Sequence, residues 1–146
     1  MHPQIAINFF AIFAAVAASF VFGALWFGPL FGKKWAALMN MPADFKPAPG
    51  FMLRALGLTV FGTFLTTYVL AHSVAVWHPS VWGVGADSAA YLYGFMAGFF
   101  TWIGFYVPLL LGQVMWEGKS WTLFAINAGH HFLNLQIIAL ILALWQ

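Results

Sequence analysis

The sequence predicts an all-α membrane protein, a polytopic transmembrane four-helix bundle whose third helix is kinked at Pro108. Three observations carry that expectation: four long apolar stretches, almost no charge inside them, and tryptophans clustered at their ends. Apolar residues make up 64% of the chain and charged residues only 5%, against about 25% charged in soluble domains. Four spans of about 23 residues plus their loops use nearly all of the 146 residues, so the chain reads as a single transmembrane domain over residues 1–146.

The first span is expected at about residues 5–27, an uncharged run of roughly 34 Å at about 1.5 Å per residue. A cleaved secretory signal is the competing reading, because Ala15-Val16-Ala17 resembles a cleavage site; the missing Lys or Arg at the N-terminus argues against it. Residues 28–54 change composition, with Pro29, Pro42, Pro47, Pro49 and Gly50 among Lys33, Lys34, Asp44, Lys46 and Arg54, and read as a long loop. The second span, about residues 55–77, ends before His78-Pro79, since proline cannot continue a helix. Residues 78–88 form a short second loop. The third span, about 89–115, contains Pro108, whose ring frees the carbonyl of Gly104 from the helix ladder and breaks the helix there. A tight turn at Glu117-Gly118-Lys119-Ser120 follows, and Ser120 is placed to cap the last span, about 121–145.

Orientation follows from the basic residues. Lys33, Lys34, Lys46 and Arg54 flank loop one, Lys119 lies in loop three, and no Lys or Arg lies elsewhere. By the positive-inside rule loops one and three face the cytoplasm, while loop two and both termini face outward. Trp77, Trp82, Trp116, Trp121 and Trp145 fall near the expected span ends, where amphipathic rings prefer the interface. Gly32-Lys33-Lys34-Trp35 and Gly118-Lys119-Ser120-Trp121 echo each other; a duplicated helical hairpin and convergent interface chemistry explain the echo equally well.

Inside the spans, two patterns stand out. Small residues at four-residue spacing, Ala11, Ala15, Ser19 and Gly23 in span one and Ala90, Gly94 and Gly98 in span three, mark faces for close helix approach. Packing within one bundle is the first reading of these faces and a homo-oligomer seam the second. Span four carries Asn127, His130, His131 and Asn134 within about 100° of one another, a polar stripe too costly to expose to lipid. Span two offers a matching face of Thr59, Thr63, Thr66 and Thr67. Counted at about 1.5 Å per residue from the basic-loop ends, His130, His131, Thr66, Thr67 and the Gly104 carbonyl all fall at roughly 14–18 Å, one mid-membrane layer. His72 falls nearer Asn8 and Gln136, in an outer group.

The ligand-binding candidates are therefore Asn127, His130, His131, Asn134, Thr63, Thr66 and Thr67. Interhelical hydrogen bonding at about 0.6 kcal/mol per contact would explain the same layer without a ligand. Histidine, with an unperturbed pKa near neutrality, adds the capacity to relay protons or to bind. The residues give no support for a metal, a haem or another cofactor: there is no cysteine, no carboxylate lies within a span, and His72 and His131 differ in depth by about 11 Å. No catalytic motif is present, and eight ionisable Lys, Arg, Asp and Glu side chains make no nucleic-acid surface; the partner the sequence does demand is the lipid bilayer.

Leu25-Trp26-Phe27-Gly28-Pro29-Leu30-Phe31-Gly32-Lys33 with Trp35, and Glu117-Gly118-Lys119-Ser120-Trp121 with Leu123-Phe124, Ile126-Asn127, Gly129 and His130, together resemble the domain of unknown function 1761 family. The resemblance implies a four-helix bacterial membrane protein, hence a cytoplasmic (inner) membrane location, and implies no activity. In these motifs Gly28-Pro29 is expected to end span one and Glu117 to pair with Lys33, Lys34 or Lys119. Asn127 and His130 are the motif positions that also lie in the polar stripe. Small-ligand binding or transport through the polar layer is the leading functional expectation, and a non-catalytic structural or accessory subunit of a membrane complex is the alternative.

Overall fold

The computed structural model describes residues 5–42 and 44–145. The N-terminal residues 1–4, on which the signal-sequence argument turns, lie outside them, as do Ala43 and Gln146. Four helical stretches are long and apolar enough to cross a membrane: Phe9–Leu30, Pro49–Val76, Ala90–Glu117 and Trp121–Leu144. Their 22 to 28 residues correspond to roughly 33–42 Å, more than the about 30 Å of a hydrocarbon core. No strand occurs among the described residues.

The first span begins later and ends later than the apolar run alone implies. Asn8 caps it, its side-chain oxygen accepting from the backbone N–H groups of Phe10 (3.0 Å) and Ala11 (3.2 Å), so α1 runs Phe9–Leu25. Gly28-Pro29 does not end it. The helix widens into a π-helical turn, Trp26–Leu30, that carries Pro29 inside it, and a short α2, Gly32–Leu38, follows where a loop was expected. The second span also starts early. Pro49 occupies the first turn of α3 (Pro49–Val76), where its missing N–H has no helical partner to lose and its fixed φ suits a helix start.

The third span consists of α4 (Ala90–Thr101), a second π-helical turn (Trp102–Tyr106) and α5 (Val107–Glu117). Pro108 sits in the first turn of α5, and the winding changes immediately upstream of it. Gly118 then takes a left-handed φ of 66°, and Ser120 caps α6 (Trp121–Leu144) by accepting from the N–H of Leu123 at 3.2 Å. Trp77, Trp82, Trp116, Trp121 and Trp145 are all exposed.

The last helix is the hub, packed by α1, α3, α4 and α5. Its tightest contact is with α4. A Cβ added at Gly94 would lie 2.8 Å from the Ala139 carbonyl oxygen, and one at Gly98 would lie 2.8 Å from the Gln136 amide nitrogen. Ala11, Ala15 and Ser19 of α1 are likewise buried, Ala11 and Ala15 within the principal core. The principal core, with Ile12, Leu70, Val74, Leu135 and Ile138 at its centre, lies in the half of the bundle away from the basic loops. There Asn8 also donates from its side chain to the Trp145 carbonyl at 3.2 Å, joining the start of α1 to the end of α6.

Loop two closes that end. Asp87 accepts from the Ser80 N–H (2.8 Å) and hydroxyl (2.5 Å) and lies 3.2 Å from His78 Nδ1. These contacts, those from Ser80 foremost, hold the Asp87 carboxyl below its ordinary value. Trp82 donates to the Val76 carbonyl at 2.7 Å, and the His78 ring packs 4.0 Å from that of Tyr93.

Candidate functional site: a polar cavity in the basic-loop half

Span two is packed only along its far half, where Thr67, Leu70, Ala71 and Val74 are buried. Its near half, up to Thr66, holds no buried residue. A methyl group added at Gly57 or Gly62 would meet nothing within 4 Å. The consequence is a cavity of about 530 Å³ between α1, α3 and α6, within the range of small-molecule sites.

The cavity gathers most of the polar residues singled out above. Thr59, Thr63 and Thr66 of α3 face His130, His131 and Asn134 of α6 across it. Thr59 turns its hydroxyl back to the Ala55 carbonyl at 2.8 Å, whereas Thr63 and Thr66 show no such bond among the described residues. Two expected members are placed elsewhere. Thr67, one position further round the helix, is fully buried away from the cavity. Asn127 lies one turn below His131 and lines a second cavity of about 450 Å³ at the basic-loop end, with Gln113, Glu117, Lys119 and Trp35. Phe27, His130 and His131 line both cavities and form the partition between them. Glu117 forms no ion pair with Lys33, Lys34 or Lys119 among the described residues.

The third span reaches the first cavity through Tyr106, not through the Gly104 carbonyl, because Gly104 faces the exterior of the bundle. The Tyr106 ring packs 4.6 Å from that of His131. The outer polar group also disperses: Asn8 caps α1, His72 bonds the Tyr68 carbonyl of its own helix at 2.9 Å, and Gln136 is buried against Gly98 of α4.

His130 is held by rings. Phe22 stacks on it at 5.4 Å, Phe27 lies at 4.7 Å, Trp26 at 6.0 Å and His131 at 5.2 Å. Both of its ring nitrogens are buried and, among the described residues, neither finds a hydrogen-bond partner; the same holds for the Asn134 side-chain oxygen. The stripe therefore does not satisfy itself by interhelical hydrogen bonds.

Two residues that sequence reasoning did not single out fix the site. Trp26 and Trp102 each open a π-helical turn, and their indole N–H groups donate to the carbonyls of Ile126 (3.2 Å) and Ala128 (2.9 Å) on α6. A helical carbonyl has a second lone pair for such a bond. The first and third spans thus clamp the stretch of α6 just before the histidines. The signal was available in part, since a tryptophan well inside an apolar span needs a partner for its N–H. Ser19 and Gly23, read as packing residues, prove to line the cavity as well, and a methyl at Gly23 would come within 3.7 Å of His130 Nε2.

No curated protein and no solved structure matches this chain. A family model described as Protein of unknown function (DUF1761) matches residues 10–143, from the first turn of α1 to the end of α6 and through every cavity residue named above. With four membrane-compatible helices and that match over nearly its whole length, the chain belongs to the DUF1761 family of proteins of unknown function.

Proposed function

We propose that this protein binds a small ligand in the cavity between α1, α3 and α6, as a membrane-embedded binding protein or as the binding step of transport. The observation that carries the reading is the state of the polar stripe. A structural stripe would close its hydrogen bonds between helices. Here Thr63, Thr66, His130, His131 and Asn134 line open volume, and among the described residues no hydrogen bond joins the two faces across it. A ligand that hydrogen-bonds to the Thr63 and Thr66 hydroxyls and to His131 would supply the partners that the opposite helix does not.

The transport form draws support from the second cavity. It reaches Asn127, His130 and His131 from the end that carries Glu117 and Lys119, so the histidine pair stands between an approach from the loops and the inner cavity. With all five Lys and Arg on loops one and three, that end belongs on the cytoplasmic face, with loop two and the termini opposite, in a bacterial inner membrane.

Native mass spectrometry of the protein extracted in native lipid particles tests the reading. A small molecule retained by the wild type and lost from His131→Ala and Asn134→Leu is the expected result. A ligand-free spectrum, with unchanged function in both variants, contradicts it and leaves the stripe as packing within an accessory subunit.

A further inference from the structure

We infer that the ligand of the inner cavity is an uncharged, lipid-borne amphiphile with a carbonyl or hydroxyl head, entering sideways between α1 and α3. The inference rests on the binding reading above and concerns the class of ligand and its route.

Charge comes first. No Asp, Glu, Lys or Arg lines the inner cavity. Counting along α3 from Arg54, its last charged residue, Thr59 and Thr66 lie roughly 8 and 18 Å further into the membrane. A charged head at that depth would have no counter-charge and little water, and would be strongly disfavoured. The walls carry neutral side chains that hydrogen-bond: the Thr63 and Thr66 hydroxyls, the Tyr106 phenol and the His131 imidazole. A carbonyl or hydroxyl head matches that set.

The route follows from the rim. Phe20 (42% exposed) on α1 and Leu56 (41%) and Leu58 (71%) on α3 line the cavity and also face outward. Gly62, between Thr59 and Thr66 on the same helix, has open space where a side chain would stand. The cavity therefore opens on the flank of the bundle, at hydrocarbon depth, through an apolar rim. A head can sit against α6 while its tail stays in the lipid. The loop-end cavity, with Glu117 and Lys119 on its walls, has the opposite character and suits a charged, water-borne solute. The two readings are thus separable by ligand charge.

The test uses the full chain in phosphatidylcholine nanodiscs, with binding read by native mass spectrometry and by the shift in thermal midpoint. The neutral probes are decylubiquinone and geranylgeraniol; the charged probes are decanoate and decyltrimethylammonium. The neutral probes are expected to bind saturably at one per chain and to raise the midpoint, with the charged probes at least tenfold weaker. Gly62→Leu, which narrows the flank opening from a position whose Cβ meets nothing within 4 Å, is expected to weaken the neutral probes at least tenfold while the ligand-free midpoint stays unchanged. Thr63→Leu serves as a second variant with the same expected loss. Charged probes binding as tightly as neutral ones, or neutral probes binding Gly62→Leu and Thr63→Leu as well as wild type, would overturn the inference. If only charged or water-soluble compounds bind, and His131→Ala abolishes that binding, the lipid-borne class falls while the binding reading stands.

Discussion

In the half of the bundle away from the basic loops, Ile12, Ala15, Leu70, Val74, Gly94, Ile138 and Ala139 are buried against one another as the principal core. In the other half the same helices contribute Ser19, Thr63, Thr66, His130, His131 and Asn134, and they surround a cavity. Both halves contain glycines, yet Gly94 lies against the α6 backbone and Gly62 faces open space. In lipid no hydrophobic force drives helices together, so a small residue seals an interface only where a second backbone reaches it. Where none does, as along the near half of α3, small and polar residues leave a cavity.

The sharpest way to break this contrast is to exchange the roles of the two glycines. Gly94→Leu forces a side chain into the Ala139 carbonyl, and the bundle is expected to lose about 3 kcal/mol or to fail to fold, seen as aggregation on size-exclusion chromatography. Gly62→Leu should leave the melting midpoint unchanged, and comparable damage from both would erase the distinction between the halves.

Next in size come the clamps that hold the open half in shape. Trp102→Phe keeps most of the ring but removes the donor to the Ala128 carbonyl, and a loss of about 1 kcal/mol is expected in a thermal or denaturant melt. Trp26→Phe should act similarly through Ile126, and the two losses should add, because they grip α6 at different carbonyls. A strongly non-additive pair would mean that the clamps work as one unit.

His130→Leu is expected to change the midpoint by under about 0.5 kcal/mol or to raise it, since an imidazole without a polar partner is replaced by an apolar group inside a ring cage. A large loss of stability would show that the imidazole is satisfied in the membrane and would weaken the case for a ligand.

The smallest effect belongs to loop two. Hydrogen bonds from Ser80, and then His78, lower the Asp87 carboxyl below its ordinary 3.8 in the folded chain. A depressed folded value stabilises the loop above the ordinary carboxylate range, and that contribution disappears as the pH falls through the lowered value. Protection of the Ser80 amide, its exchange rate relative to that of an unstructured peptide at the same pH, should hold through neutral pH and fall only in acid, while Asp87→Asn should lower it at neutral pH. Protection that falls near neutrality would assign control of the loop to another group.

Much of this was readable in the residues, and the failures have physical causes. Apolar length and basic-residue placement locate the spans, because the bilayer imposes both. Helix ends were less legible: Pro49 reads as loop, yet the first turn of a helix accepts proline, and Pro29 was absorbed by a wider winding that no local propensity signals. Angular position on α6 brought His130, His131 and Asn134 to one cavity. It failed for Thr67, because the threonine face of α3 is wider than the cavity and its far edge turns into the core. Depth counting placed Gly104 in the right layer and on the wrong side, since depth along a helix says nothing of rotation about it.

The most direct test of the open half uses the chain's lack of cysteine, which makes single replacements clean reporters. Thr63→Cys, on the cavity wall, and Ala71→Cys, two turns further along the same helix among the buried core residues, are exposed in turn to a small membrane-permeant thiol reagent. The account predicts rapid labelling at position 63, protection there by a bound neutral amphiphile, and no labelling at position 71. Equal labelling at the two positions, or labelling at 71 alone, would contradict it.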